Sequence, residues 1–207
     1  MRALNLINIL FSDIMMSINL IENMHLNEIV KIDVNLNKPM DNSQIFFGMG
    51  CFWGAERKFW KLDGVTTTAV GYAGGHFENP TYEKVCAGET GHAEVVRIFY
   101  NTKKTDFEEL MKIFWESHDP TQFNRQGNDI GTQYRSIILY DDKNILSRLE
   151  SSKTKYQQKL LADSIGDIKT EIKPVKQFYL AEDYHQKYLY KNPNGYCGLK
   201  GTGVIYS

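Results

Sequence analysis

Cys51 is the side chain best placed for covalent chemistry in this sequence. It lies in the segment GCFWG (residues 50–54), after an apolar run and before apolar residues at helical spacing. A sulfur between a strand and a helix faces the helix N-terminus, where backbone N–H groups and the positive end of the dipole favour a thiolate. The flanking glycines allow a ligand close to the backbone, and Phe52 and Trp53 can form an apolar wall. The segment therefore predicts a nucleophilic cysteine.

Composition excludes several classes of protein. The three cysteines, Cys51, Cys86 and Cys197, are too few for a disulfide scaffold, and no CxxC pair offers zinc-ligand spacing. Lysine plus arginine (24) nearly balance aspartate plus glutamate (25), so neither a nucleic-acid surface nor a polybasic membrane anchor is expected. No apolar stretch reaches the roughly 20 residues of a membrane span. We expect a protein of a reducing compartment, the cytoplasm, that acts on a small group or a peptide.

The chain divides into an N-terminal extension and one domain. Residues 1–42 are interpreted as an extension of unknown role, partly helical, because Asn5 and Asn8 interrupt its apolar run and make a poor signal peptide. Residues 43–207 are predicted to form the catalytic domain, since the length and composition suit a single buried core.

Apolar periodicity predicts the elements that position Cys51. Strands are expected at residues 45–47, 65–72, 93–100, 136–140 and 168–174, and helices at about 53–60, 105–117, 142–161 and 182–190. Thr105 and Glu108 match a capping box, and a polar loop follows Pro120. The predicted fold is α+β, a two-layer sandwich with a mixed β-sheet, a ferredoxin-like core and a long irregular C-terminal tail.

Several short motifs in order make the chain similar to a known family. They are GCFWG (50–54), GYAGG (71–75), PTY (80–82), TGHAE (90–94), HDPTQ (118–122), QGND (126–129), GTQYRS (131–136), AEDYHQ (181–186) and GYC (195–197). With these motifs the sequence resembles the A-class peptide methionine sulfoxide reductases over about residues 44–205.

The resemblance implies roles for the residues at matching positions. Cys51 matches the nucleophile, and Glu94 matches the acid that protonates the sulfoxide oxygen, without which attack on the sulfur is slow. Burial beside aromatic residues would raise the pKa of Glu94 and keep its proton available near neutral pH. The implied substrate-binding residues are Phe52 and Trp53 for the S-methyl group, Tyr82 and Tyr134 for the sulfoxide oxygen, and Asp129 as a polar support.

The resemblance also implies how the cysteine is restored. Cys197 matches the family's resolving cysteine, and its glycine-rich tail lets the sulfur swing toward Cys51 and form a disulfide, which a thioredoxin-type protein then reduces. No metal or organic cofactor is implied, the substrate is the S epimer of methionine sulfoxide, free or in proteins, and we expect a monomer. Cys86 is interpreted as a packed bystander, and His185 as a structural or orienting residue outside the catalytic set.

Two other interpretations of Cys51 remain open from the residues alone. The first is a cysteine hydrolase, in which a histidine activates Cys51 and an oxyanion hole stabilises an acyl intermediate. The second is a non-catalytic redox switch that uses Cys51 and Cys197 to control a partner. A switch needs no proton donor, so the glutamate and tyrosine constellation argues against it.

Overall fold

The computed structural model of the protein describes residues 31–32 and 42–206. The hypothesis that residues 1–42 are partly helical falls outside this described part, apart from Lys31–Ile32 (β1), a short strand at one sheet edge, and Asn42, which begins the next strand. No helix within the two described ranges is long and apolar enough to cross a membrane.

A seven-stranded mixed sheet organises the domain. The strands lie in the order β1-β9-β3-β4-β2-β7-β8, and every neighbouring pair is antiparallel except β7 and β8. Beyond β1 they are β2 (Asn42–Met49), β3 (Val65–Ala73), β4 (Ala93–Asn101), β7 (Ser136–Tyr140), β8 (Glu171–Pro174) and β9 (Phe178–Leu180), while β5 (Arg125–Gln126) and β6 (Asp129–Ile130) pair separately. The predicted α+β class and mixed sheet are confirmed.

The two central strands, β2 and β4, are covered on both faces. Neighbouring residues Phe46 and Phe47 point to opposite faces, and both are fully buried. Phe47 belongs to the larger core cluster, which includes residues of the helices, whereas Phe46 belongs to a smaller cluster on the other face with Phe178. This explains why the sequence around them is a continuous apolar run instead of an alternating one.

The helices are α1 (Phe52–Phe59), α2 (Tyr82–Cys86), α3 (Phe107–Ser117), α4 (Leu146–Ala162) and α5 (Tyr188–Lys191), with 3₁₀ turns at Thr132–Tyr134 and Lys143–Ile145. The predicted apolar face of α3 is confirmed, but its predicted capping box is wrong. Asp106 caps the helix and accepts the Glu108 N–H (3.2 Å), while the Thr105 hydroxyl donates to the carbonyl of Asp63 (2.6 Å). Both residue types suit an N-cap, and the contact with Asp63 decides between them.

Three other segments differ from the predictions. The polar loop after Pro120 contains the β5–β6 hairpin, and only the last four residues of the strand predicted over 168–174 are β8. Strand β9 and helix α2 had no prediction. The helix predicted over residues 182–190 consists mostly of turns, because Lys187 has a left-handed backbone (φ 53°) and α5 starts only after it.

The irregular tail after α5 is attached to the domain at its far end. Tyr206 is 2% exposed, its backbone N–H donates to Glu116 Oε1 (2.8 Å), and its hydroxyl lies 2.8 Å from Glu108 Oε2. The Tyr156 hydroxyl donates to the Val204 carbonyl (3.1 Å). The tail predicted to be flexible is therefore held against α3 and α4 beyond residue 203.

Candidate active site

Cys51 sits in the tight turn that joins β2 to α1. Gly50 has φ +99°, a conformation that favours glycine, and a Cβ at this position would lie 2.7 Å from Gln126 Cβ. Cys51 is the N-cap residue of α1 and is 8% exposed. The turn thus places the thiol at the start of the helix, as predicted, in a nearly closed environment.

The Glu94 carboxyl lies at the same helix end. Glu94 is the second residue of β4 and is 2% exposed, and its Oε2 accepts the backbone N–H of Phe52 (3.1 Å). Burial, with the nearby Asp129 charge, raises the pKa of Glu94 to about 8, although the Phe52 N–H opposes the shift. The predicted direction is confirmed: at neutral pH this carboxyl holds a proton.

The resting state of Cys51 differs from the prediction. Burial raises the pKa of the thiol, the charge of Glu94 adds to the increase, and the backbone N–H groups of Trp53 and Gly54 lower it only in part. The N–H groups at the helix N-terminus favour a thiolate, as expected, but desolvation outweighs them, so the Cys51 thiol keeps its proton at rest. The structure favours a protonated pair of Cys51 and Glu94.

The aromatic wall consists of Phe52 and Trp53, the two residues that directly follow Cys51. Phe52 is fully buried, whereas Trp53 is partly exposed and stacks on Tyr188 with ring centroids 3.8 Å apart and planes 17° apart. The Trp53 indole N–H donates to His185 Nδ1 (3.0 Å). Burial lowers the pKa of His185 to about 4, so the ring is neutral and its proton is on Nε2. His185 therefore orients Trp53, one of the two roles considered for it.

Tyr82 and Tyr134 bring two hydroxyls toward the acid. Tyr82 is the first residue of α2, and its backbone N–H donates to Glu182 (3.3 Å), while Tyr134 ends a 3₁₀ turn. Burial raises the pKa of both phenols, and the charge of Glu94 adds to both shifts. Both hydroxyls are consequently hydrogen-bond donors across the neutral range.

Cys86 departs from its interpretation as a packed bystander. Its side chain is exposed at the last position of α2, and its thiol is a hydrogen-bond partner of the Tyr82 hydroxyl. The short helix α2, which had no prediction, brings the first and last of its five residues together.

The tail returns to the start of α1 at Cys197. A Cβ added to Gly54 would lie 2.9 Å from Cys197 Sγ, so the absence of a side chain at Gly54 makes room for this sulfur. The preceding residue, Tyr196, donates its hydroxyl to Asp129 Oδ1 (3.1 Å). All three cysteines are free. The structure therefore has Cys197 close to the helix that begins at Cys51, with both thiols reduced.

The Asp129 carboxyl completes the site. Its second oxygen, Oδ2, is buried and has no hydrogen-bond partner within the described part of the chain. Burial raises the pKa of Asp129, opposed by the bond from Tyr196. A buried acceptor without a partner is open to a donor from a ligand.

Comparison with known proteins identifies the family. A family model described as "Peptide methionine sulfoxide reductase" matches residues 43–204. The chain belongs to this family. It is 58% identical over 174 residues to the peptide methionine sulfoxide reductase MsrA of Photobacterium profundum, covering 84% of this chain and 82% of that one.

Solved structures of family members have the same fold. Methionine sulfoxide reductase A of Corynebacterium diphtheriae superimposes with a TM-score of 0.73 at 44% identity, covering 81% of this chain and 82% of that one. Mxr1 of Saccharomyces cerevisiae in complex with Trx2 gives a TM-score of 0.52 at 27% identity, covering 76% of this chain and 92% of that one.

In this member of the family, the residues singled out from the sequence converge on one end of α1. Hydrogen bonds, close approach or the effect of one group's charge on another's pKa connect these residues. The set consists of Cys51, Phe52, Trp53, Tyr82, Glu94, Asp129, Tyr134 and Cys197. Tyr188 and Tyr196 had no prediction. The sequence signal that could have identified them is their position, since Tyr196 lies within the GYC motif and Tyr188 lies two residues after the AEDYHQ motif. Across the described ranges, no group of three or more histidine, cysteine or acidic side chains is placed to hold a metal ion.

Proposed function

We propose that this protein reduces methionine S-sulfoxide, free or within proteins, to methionine, with Cys51 as nucleophile and Glu94 as acid. The observation that carries the proposal is the buried Glu94 carboxyl at 3.1 Å from the Phe52 N–H, protonated at neutral pH beside the Cys51 thiol. Reduction of a sulfoxide requires a sulfur nucleophile and a proton for the departing oxygen in one place. This pair supplies both.

The reaction balances with one thiol and one sulfoxide. The Cys51 sulfur bonds to the sulfoxide sulfur, the Glu94 proton moves to the sulfoxide oxygen, and the Cys51 thiol proton passes to the Glu94 carboxylate. The sulfur–oxygen bond of the substrate then breaks and the hydroxyl moves to Cys51, which becomes a sulfenic acid as methionine leaves. The substrate sulfur gains two electrons and Cys51 loses two. Glu94 ends the step protonated.

The side chains around the pair give the site its substrate preference. Phe52 and the stacked Trp53 offer an apolar surface for the S-methyl group, and the hydroxyls of Tyr82 and Tyr134 are donors for the sulfoxide oxygen. Asp129, with its unpartnered oxygen, supports the polar side. Because a methyl surface and an oxygen site flank one sulfur nucleophile, only one sulfoxide epimer presents both groups correctly.

Cys197 is the proposed resolving cysteine. Its thiol displaces water from the Cys51 sulfenic acid and forms a disulfide, and a thioredoxin-type dithiol then reduces that bridge by two electrons. The location of the Cys197 sulfur beside Gly54 supports the assignment, and the yeast relative bound to Trx2 supports the reductant. No metal or organic cofactor takes part in this cycle.

The test uses separated epimers of methionine sulfoxide with dithiothreitol as reductant. The parent should consume the S epimer alone. Cys51→Ser should abolish turnover, since an alcohol is a far weaker nucleophile than a thiol at neutral pH. With thioredoxin as the reductant, Cys197→Ser should release about one equivalent of methionine, after which turnover should stop. The matched control, Cys86→Ser, should still complete the cycle through a bridge between Cys51 and Cys197; in the parent protein, a mapped disulfide that contains Cys86 would contradict the assignment.

The competing functions give different results in the same assay. A cysteine hydrolase would turn over a thioester without reductant, and a redox switch would form the bridge between Cys51 and Cys197 but release no methionine. Glu94→Gln would leave a switch unaffected. Consumption of sulfoxide that depends on reductant and on Glu94 therefore excludes both.

The remaining assignments concern the whole chain. We propose that residues 43–207 are the catalytic domain of a cytoplasmic monomer and that residues 1–42 are an extension of unknown role. We assign the core to the ferredoxin-like class. The spatial order β7-β2-β4-β3, all antiparallel, with α1 between β2 and β3 and α3 between β4 and β7, supports that class.

A further inference from the structure

A charged group that the proposed chemistry does not use lies on the same helix as Trp53. Glu56 is on α1, one turn after Trp53, and is 0% exposed. A buried carboxylate is costly unless partners replace the water it has lost. The partners that stabilise Glu56 therefore show what this carboxylate holds in place.

The partners of Glu56 come from the segment that contacts Trp53. Lys187 donates its ammonium group to Glu56 Oε1 (2.7 Å) and its backbone N–H to Oε2 (2.8 Å). Thr68 of β3 donates its hydroxyl to Oε1 (3.0 Å), and its carbonyl accepts from the Lys187 ammonium (3.1 Å). Glu56 therefore binds both ends of one lysine and ties that residue to the sheet.

Lys187 needs this support because of its backbone. Its φ of 53° and ψ of 34° place it in the left-handed region, which is unfavourable for a residue that carries a side chain. Such a conformation persists where the surroundings hold it. Here the bond from the Lys187 N–H to Glu56 and the ion pair from its side chain both hold the residue in this conformation.

The conformation of Lys187 decides where its neighbours lie. Tyr188 directly follows and stacks on Trp53 (3.8 Å), and His185, two residues before, accepts the Trp53 indole N–H (3.0 Å). Gln186 between them is anchored to β3, where its side chain binds both the N–H and the carbonyl of Val70 (2.9 Å each). Both contacts that orient Trp53 thus come from one turn, and Glu56 holds one end of that turn.

We propose that the ion pair between the buried Glu56 and the half-buried Lys187 is a positioning element that sets the orientation of Trp53 through Tyr188 and His185. The inference rests on the proposed role of Trp53 as the wall for the substrate methyl group. Neither Glu56 nor Lys187 touches the reacting atoms. Their effect on the reaction is on substrate binding, because the wall contacts the methyl group before and during the chemical step alike.

The test compares Lys187→Met with the double variant Glu56→Gln/Lys187→Met. The single change leaves a buried carboxylate without its cation and should lower thermal stability, whereas the double change removes both charges and should restore most of it. In both, KM for methionine S-sulfoxide should rise about tenfold with kcat within about twofold, the pattern of lost uniform binding. Lys173→Met, which removes an exposed pair with Glu171 (2.6 Å), is the matched control and should change neither constant.

A second readout is independent of activity. The indole N–H signal of Trp53 in a ¹⁵N correlation spectrum, assigned with Trp53→Phe, should shift in both variants and not in Lys173→Met. A folded double variant with parental KM and an unshifted Trp53 signal would overturn the proposal and leave the pair as support for the fold alone. A shifted signal with parental KM would support the positioning and would count against the substrate role of Trp53.

Discussion

Glu94→Gln should make the protein both more stable and nearly inactive at neutral pH. The substitution keeps the shape of the side chain, and its amide oxygen can still accept the Phe52 N–H. Only the ability to hold or lose a proton is removed. The free energy of unfolding and the reaction rate then both depend on the protonation of Glu94.

The stability effect follows from the shift of the Glu94 pKa from 4.5 to about 8. Between these values the unfolded chain has lost its proton while the folded chain retains it, so the free energy of unfolding falls as pH rises, by about 1.4 kcal/mol per unit. By pH 7 the accumulated loss is about 3 kcal/mol. Glutamine has no such loss, and Glu94→Gln should therefore be about 3 kcal/mol more stable than the parent at pH 7 and similar at pH 4.

Activity should move in the opposite direction. Without the acid, the first release of methionine should slow by roughly 10²-fold or more. In the parent, this step should fall about tenfold per pH unit above 8 as Glu94 loses its proton, and the variant should lack that dependence. Urea unfolding at pH 4 and 7 and rapid-quench measurement of methionine provide the two results. A pH-independent stability difference, or a parental rate in the variant, would refute the reasoning.

Three further changes test the tail and the thiols. Gly54→Ala places a methyl group 2.9 Å from Cys197 Sγ. The rate of methionine release should stay within about twofold, whereas disulfide formation, measured by thiol titration, should slow at least about tenfold. Tyr206→Ala should cost about 3 kcal/mol in urea unfolding, as for other buried aromatic residues, and Tyr206→Phe should cost about 1 kcal/mol through the lost hydroxyl contacts. Cys86→Ser should change KM through its contact with Tyr82, with kcat unaltered; an altered kcat would give Cys86 a part in the chemistry.

The candidate site residues could be proposed from the sequence because several motifs that resemble the family follow one another in the family's order. The GCFWG segment identified a cysteine in a strand-to-helix turn, and Gly50 with its positive φ explains why that turn needs glycine. The protonation state of Cys51 could not be predicted in the same way. It depends on how many atoms bury the sulfur and on the distance to Glu94, which strands far apart in sequence supply.

The elements of the fold could likewise be predicted where local sequence determines them and not where contacts distant in sequence do. The one-sided apolar periodicity of α3 and the continuous apolar run of the central strand β2, which is buried on both faces, predicted these elements. Helix boundaries and the segment after Leu180 could not be predicted, because long-range hydrogen bonds override local preference there. Gln186 binds Val70, and Lys187 binds Glu56, so a helical pattern over residues 182–190 gives way to turns.

The attachment of the tail at Val204 and Tyr206 has a consequence for damage by excess oxidant. With Tyr196 bound to Asp129 on one side and Tyr206 bound to α3 on the other, the segment that carries Cys197 is a closed loop with a short reach. The tail segment has little further conformational entropy to lose when it brings Cys197 to Cys51. The Cys197 thiol therefore stays at a high effective concentration near Cys51. In the proposed cycle, a sulfenic acid at Cys51 should then be captured by Cys197 before another oxidant molecule converts it irreversibly to a sulfinic acid.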